Sequence, residues 1–288
     1  MSKNAAIKKA IILAGGLGTR FLPVTKALPK EMLPIVNKPA LQYIVAEAEQ
    51  SGVERLGILI SGGKEAVRRY FTPDPKLEAV LEKSGKTEFL KAVRGISKID
   101  IEFLIQNEPL GSGHAVLCCE GFIGKDDFAL LNGDDVVFSE TPAIRQIMEC
   151  FDRCGRTVVG VQPVPRAQIG KYGVVRIVQS DGRAHIIDKI IEKPAEHEIC
   201  SSLASLGRYA FRNDILDVLR RVKPAANGEI QLPDAINIQA GQDKAAAFEF
   251  TGRRYDLGSK AGYIEANIEY ALRDPEIGHG IADFIKTL

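Results

Sequence analysis

The first stretch whose residue types could do chemistry is Leu13-Ala14-Gly15-Gly16-Leu17-Gly18-Thr19-Arg20, directly after the apolar run Ala10 to Ala14. Glycines in such a loop let backbone N–H groups approach an anion with no side chain in the way. Three phosphate-binding readings compete. A dinucleotide fingerprint needs glycine where Phe21 stands, and Pro23 opposes a helix opening at once. A P-loop needs Gly-Lys-Ser/Thr, and this chain has Gly18-Thr19-Arg20. There remains a Gly-x-Gly-Thr-Arg loop presenting Arg20 to a phosphate, with a second cation, Lys30, in Pro29-Lys30-Glu31-Met32-Leu33-Pro34. A purely structural turn is the alternative.

Elements of regular structure must position that loop. Ala10 to Ala14 reads as a strand buried on both faces. Pro39 is expected as the first residue of a helix, with Leu41, Ile44, Val45 and Ala48 on one face and Gly52 past its end. Leu56 to Ile60 reads as the next strand. Strand Ile101 to Gln106 then leads to a helix opening near Gly113, and strand Phe128 to Leu131 to a helix from about Ala143 to Cys150, before strand Thr157 to Val161. This alternation predicts an α/β fold with a doubly wound, mostly parallel, Rossmann-like sheet. Between Tyr172 and Phe211 the pattern shifts to short alternating runs, Val174 to Val178 and His185 to Ile191, with Asp181-Gly182 at the turn. That predicts a small antiparallel insertion. Helical periodicity returns at Ile215 to Leu219 and in a C-terminal helix after Ser259, where Ile264, Ile268 and Ala271 line one face. Lys76 to Arg94 reads as surface helices forming a lid or an interface.

Composition narrows the function. The 288 residues carry 38 basic and 37 acidic side chains, a net charge of +1, which excludes an extended basic surface for nucleic acid. The five cysteines have neither disulfide-framework nor zinc spacing, so a reducing cytoplasm is expected. No apolar run approaches the roughly 18 residues of a membrane span, and the run after Lys8-Lys9 is too short for a signal peptide.

Taken with the loop, several motifs in order make the chain resemble the nucleotide-sugar pyrophosphorylase family, and within it the bacterial UTP-glucose-1-phosphate uridylyltransferases. General to the family are Gly16-Leu17-Gly18-Thr19-Arg20, Glu192-Lys193-Pro194, and Asp256 followed by Gly258. More specific to the uridylyltransferases are Pro29 to Pro34, Gly111-Ser112-Gly113-His114-Ala115-Val116, Tyr172-Gly173-Val174-Val175 and Gly228-Glu229-Ile230-Gln231-Leu232. The match runs from Lys9 to about Arg273.

The resemblance implies that a sugar 1-phosphate oxygen attacks the α-phosphorus of a nucleoside triphosphate in line and that pyrophosphate leaves. At 4 Å and an effective dielectric near 20, each pair of like unit charges repels by about 4 kcal/mol. Local cations are therefore required, but no general base, because the attacking oxygen is already ionised. By resemblance, the backbone at Ala14, Gly15 and Gly16 holds the nucleoside, and Gln106 and Gly111 read the uracil edge. Arg20 and Lys30 contact the triphosphate. Asp134 and Asp256 match a pair of Mg²⁺-binding aspartates, as suits an ion held by one or two carboxylates plus substrate phosphates. Lys193 grips the sugar phosphate, Glu192 accepts from sugar hydroxyls, and Gly173 lets backbone approach the sugar. The implied organisation is one domain over 1–288, with a nucleotide half (9–135), a sugar-phosphate half (136–258) and a C-terminal helix and tail (259–288). Implied partners are UTP, glucose 1-phosphate, UDP-glucose, pyrophosphate and a second copy in a homodimer or homotetramer.

Each site residue also has a plainer reading. Asp134 and Asp256 could be turn or cap residues, with Asp135 the better cap; Lys193 an exposed turn residue; His114 a polar residue of a first helical turn; Lys26 a solvated charge. Where relatives commonly have a proline before the metal-binding aspartate, this chain has Gly133, as the thymidylyl relatives do, and Ser202 stands where many relatives have asparagine. Gln231-Leu232-Pro233-Asp234 lacks the usual threonine before its aspartate. A dTTP-using glucose-1-phosphate thymidylyltransferase and a non-catalytic regulatory paralogue are the alternatives.

Overall fold

The computed structural model describes residues 7–288. Ala10, Ile11, Ile12 and Ala14 have no exposed surface, as expected of a strand covered on both faces. Their strand, Lys9–Ala14, runs parallel to Arg55–Ser61 on one side and Phe128–Asn132 on the other. It belongs to a nine-stranded sheet with spatial order Asp100–Gln106, Arg55–Ser61, Lys9–Ala14, Phe128–Asn132, Leu203–Phe211, Thr157–Pro163, Ala245–Glu249, Ala184–Glu192, Gly173–Asp181.

This sheet is mixed, a correction to the mostly parallel sheet expected. The first four strands are parallel, as is the pair Thr157–Pro163 and Ala245–Glu249. Leu203–Phe211 lies antiparallel between Phe128–Asn132 and Thr157–Pro163. The hairpin turning at Asp181-Gly182 forms as expected, but it belongs to this same sheet rather than being an insertion upon it, and the sheet curls so that Val174 also pairs with Ala204 of the central strand. Two strands hide in the sequence for different reasons. Leu203–Phe211 carries Arg208, a charge that argues against a fully covered strand unless a partner is supplied from elsewhere. Ala245–Glu249 begins with three alanines, whose strand preference is weak.

Helices cover both faces. On one, Ala40–Gln50 buries Leu41, Ile44, Val45 and Ala48, the expected stripe. Each such aliphatic side chain fully buried contributes about 1.5–3 kcal/mol. Pro39 stands one residue before that helix, paired in a short ribbon with Pro34. Gly111–Leu117, Ile215–Leu219 and Leu232–Ala240 contribute to a second apolar core. The Lys76 to Arg94 stretch forms two helices, Pro75–Lys83 and Thr87–Arg94, that are mostly exposed. No helix among the described residues is long and apolar enough to cross a membrane.

The C-terminal region departs from expectation. It holds two helices, Lys260–Arg273 and Gly278–Lys286. The first starts at Ser259, whose Oγ accepts from Gly262 N at 3.1 Å. Ile264 and Ile268 face solvent, while Gly262 and Ala266 are buried. Small residues win the inner face because a Cβ at Gly262 would lie 2.4 Å from the Asp256 carbonyl oxygen.

Glu269 pins this helix to the preceding strand, Arg253–Asp256, by bonds with Tyr255 and Arg253, and also pairs with Arg273. The Tyr255 hydroxyl first, then the two arginines, hold its carboxyl at about 2. Because the folded pKa lies below the unfolded value of roughly 4.3, this stabilisation is complete above the unfolded pKa and is lost as pH falls through the folded one. Glu269→Gln is therefore expected to lower Tm at pH 7 and to differ progressively less from the parent between pH 5 and 2, on the order set by those values. A gap that stays constant with pH in thermal melts would show that ionisation is not what holds the helix.

Candidate active site

Parallel strands bring their C-terminal ends to one edge, where open α/β sheets bind ligands. There Ala14 leads into the glycine loop, Ser61 leads toward Lys64, Gln106 ends its strand, and Asn132 leads to Asp134. The loops interlock through Gly133 N, which donates to Leu13 O at 3.0 Å.

At one end of this edge, Gln106 Oε1 lies 3.4 Å from where a Cβ on Gly15 would sit. Gln106 Nε2 donates to Gly111 O at 3.3 Å and lies 3.0 Å from His114 Nδ1. The residues expected to hold a nucleoside thus lie together, and His114 joins them, having been read from sequence only as a polar helix residue. Gly111 has φ +94°, and a Cβ there would come within 2.5 Å of Ile230 O. Gly113 N donates to Ile230 O, and Ile230 N to Leu110 O, both at 2.8 Å. Ser112 Oγ accepts from Leu232 N at 3.0 Å. The Gly111–Val116 and Gly228–Leu232 motifs are therefore one structure.

Beside them lies a charged centre. Lys30 Nζ is 2.6 Å from Asp134 Oδ2. Burial works against both charges, but their attraction and hydrogen bond outweigh it, holding the Lys30 pKa above and the Asp134 pKa below the ordinary values. Asp256 Oδ1 accepts from Gly258 N at 2.8 Å, and Arg20 Nη1 donates to Gly258 O at 3.0 Å. The point where a Gly258 Cβ would stand is 2.9 Å from Asp256 Oδ1, 3.0 Å from Arg20 Nη1 and 3.4 Å from Asp134 Oδ2. Two carboxylates and a guanidinium converge there. Their meeting depends on an antiparallel ribbon, Asp135–Phe138 against Arg253–Asp256, which sets Asp256 opposite Asp135. Asp135 is no helix cap, a correction: it is buried in the ribbon and ion-paired with Arg254.

A cavity of about 210 Å³ opens beyond, lined by Gly173, Glu192, Ser205, Tyr209, Gln231 and Arg254. Glu192 keeps an exposed face, and the partial desolvation of its carboxyl at the cavity wall raises its pKa. A second cleft of about 750 Å³ contains Arg20, Lys193, Asp256 and Ser259, and Lys171, Tyr172 and Arg254 border both. Lys193, at φ +46°, donates its backbone N–H to Tyr172 O at 3.1 Å. The predicted site residues thus gather around the glycine loop, the charged centre and two clefts that share Lys171, Tyr172 and Arg254. Ser202 lines neither cleft. Lys171 and Arg254, which border both clefts, carry no motif signal of their own: one precedes Tyr172 and the other stands two residues before Asp256.

Residues 9–272 match the nucleotidyl transferase family. The chain belongs to that family. Among relatives of this nucleotidyl transferase, the UTP-glucose-1-phosphate uridylyltransferase of Bacillus subtilis strain 168 is 44% identical over 283 residues, covering 98% of this chain and 97% of that protein. A UTP-bound UGPase from Acinetobacter baumannii superposes with a TM-score of 0.91 at 33% identity, covering 98% of this chain and 99% of that one. A Bacillus anthracis chain described as a glucose-1-phosphate thymidylyltransferase superposes less well, with a TM-score of 0.72 at 27% identity, covering 91% and 94%.

The implied magnesium suits this nucleotidyl transferase site. Asp134 and Asp256 offer hard oxygen donors from two neighbouring segments. Among the described residues no cluster of three or more His, Cys, Asp or Glu forms a ready-made cage. Mg²⁺ commonly needs none, because substrate phosphates and water complete its octahedron.

Proposed function

We propose that this nucleotidyl transferase makes UDP-glucose and pyrophosphate from UTP and glucose 1-phosphate. The observation that carries the reading is that three parts adjoin one another: the Gly15, Gln106 and Gly111 group, the Lys30, Asp134, Asp256 and Arg20 centre, and the cavity that Leu13 and Asn132 line together with Gly173 and Glu192. The greater similarity to uridylyl than to thymidylyl relatives supports UTP.

On this reading the loop backbone, Gln106 and Gly111 hold the nucleoside. Glu192 orients the sugar through its hydroxyls, and Lys193 draws the sugar phosphate toward the charged centre. An oxygen of that phosphate forms a bond to the α-phosphorus while the bond from the α-phosphorus to the bridging oxygen of the leaving pyrophosphate breaks. Arg20 and Lys30 stabilise charge on the leaving group. Bound Mg²⁺, held by Asp134 and Asp256, would add charge neutralisation at the phosphates. Catalysis is thus positioning and electrostatics. Residues 9–135 serve the nucleotide and 136–258 the sugar phosphate, although Asp256 reaches across to the first half.

Pyrophosphate release measured for four nucleotides crossed with three sugar phosphates tests the assignment. UTP with glucose 1-phosphate is expected to give the highest kcat/KM; a clear preference for dTTP would transfer the assignment to the thymidylyl class, and no turnover would favour a regulatory paralogue.

Gly173 supplies a sharper test of the sugar end. A Cβ there would lie 2.9 Å from Glu192 Oε2, the free end of a side chain that can swing aside, and 3.1 Å from the buried Ile190 Cγ2, which need give by only a few tenths of an ångström. Gly173→Ala is expected to fold normally, displace Glu192 and raise KM for glucose 1-phosphate by about 10- to 100-fold, leaving KM for UTP little changed. Equal effects on both Michaelis constants would place Glu192 outside the sugar contact.

A further inference from the structure

Behind the glycine loop lies a buried ion pair that the mechanism above does not use. Lys64 Nζ donates to Ala14 O at 2.5 Å, to Gly16 O at 2.8 Å, and to Glu31 Oε1 and Oε2 at 3.0 and 2.9 Å. The Lys64 side chain is 8% exposed and that of Glu31 0%. An ammonium has three N–H donors and no acceptor. Here two loop carbonyls and one carboxylate engage them all, which leaves none for a ligand.

The consequence for the loop follows from peptide geometry. In a planar trans peptide the C=O and the next N–H point in opposite directions. With the carbonyls of Ala14 and Gly16 drawn onto Lys64, the N–H groups of Gly15 and Leu17 face away from it. Glu31 does a second job. Its neighbour Lys30 carries the ammonium that pairs with Asp134 and lies 3.4 Å from where a Gly16 Cβ would be. A carboxylate on Lys64 keeps that second, inner ammonium neutralised, so one unopposed structural charge is not left beneath the loop.

We propose that the Lys64–Glu31 pair is a positioning device for the nucleoside triphosphate, fixing the glycine loop and Lys30 relative to each other without touching substrate. This inference rests on the uridylyltransferase reading above. Burial pushes the Lys64 pKa down and the Glu31 pKa up, so each depends on the other to stay charged. Removing one partner strands the other, whereas replacing both with apolar groups of similar size is commonly tolerated by a fold. That difference separates positioning from mere stability.

The experiment compares the parent, Lys64→Met, and the double variant Lys64→Met with Glu31→Leu, measuring Tm and both Michaelis constants. Lys64→Met is expected to lower Tm and raise KM for UTP. The double variant is expected to recover most of the Tm lost by Lys64→Met, short only of what the Ala14 and Gly16 carbonyls lose with their donor, yet keep a KM for UTP raised about 10-fold or more, with KM for glucose 1-phosphate within about two-fold of the parent. A double variant with parental KM for UTP, or one that does not fold, would overturn the positioning role. A parent that turns over no UTP would instead remove the functional reading on which it rests.

Discussion

Asp134→Asn is expected to lower kcat by about 10³-fold while shifting Tm by only about 2–4 °C. Asparagine keeps the shape of the side chain and can still accept from Lys30 Nζ, now 2.6 Å from Asp134 Oδ2. What disappears is the negative charge. That charge does two things in this centre: it holds the Lys30 pKa above its ordinary value against the cost of burial, and it faces Asp256 and Arg20 across the point above Gly258. With Lys30 16% and Asp134 32% exposed, the weakened pair lies between a surface and a buried one, and because asparagine still accepts from Lys30 the loss should stay at about 1 kcal/mol, so the losses in activity and in stability should separate widely. Turnover measured across a Mg²⁺ titration decides the matter. Activity retained at saturating Mg²⁺ would show that the ion is held elsewhere.

The largest effect on stability is expected at Arg208, which has no exposed surface. Its Nε and Nη2 donate to the two carboxylate oxygens of Glu47 at 2.9 and 2.6 Å, and Nη2 also donates to Asp135 O at 2.7 Å. Glu47 Oε1 in turn accepts from Ile144 N at 2.9 Å. The pair ties a central strand to the Ala40–Gln50 and Ala143–Cys154 helices and to the turn bearing Asp134. Arg208→Met leaves Glu47 buried and uncompensated and should cost about 3–5 kcal/mol in urea unfolding. Adding Glu47→Gln removes the stranded charge but keeps an acceptor for Ile144 N, and should recover most of that loss. A single substitution costing under about 1 kcal/mol would mean that packing, not the pair, holds this strand.

Arg208 also shows where reading a sequence succeeds and fails. Local grammar was sufficient wherever an element is defined by its own residues. The Lys9–Ala14 strand, the apolar stripe of the Ala40–Gln50 helix and the Asp181-Gly182 turn follow from periodicity and turn chemistry. It failed where a distant residue supplies the reason. Leu203–Phe211 can be a central strand only because Glu47, far away in the chain, neutralises its arginine. Ile264 and Ile268 have helical spacing, but spacing cannot say which face of a helix will meet a strand, and the close approach at Gly262 decides that.

For the site the division is similar. The residue types and motif order by themselves determined the class of chemistry: a glycine loop for phosphate, isolated cations for two anionic reactants, and two carboxylates suited to a hard divalent ion. Tertiary structure alone decided how these meet. The ribbon that sets Asp256 opposite Asp135, the docking of Ile230 on Gly111 and Gly113, and the Lys64 ammonium under the carbonyls of Ala14 and Gly16 all join segments widely separated in the chain. Such contacts leave no local periodicity in the sequence, because hydrogen bonds and charge pairs depend on distances in space that only the packed sheet fixes.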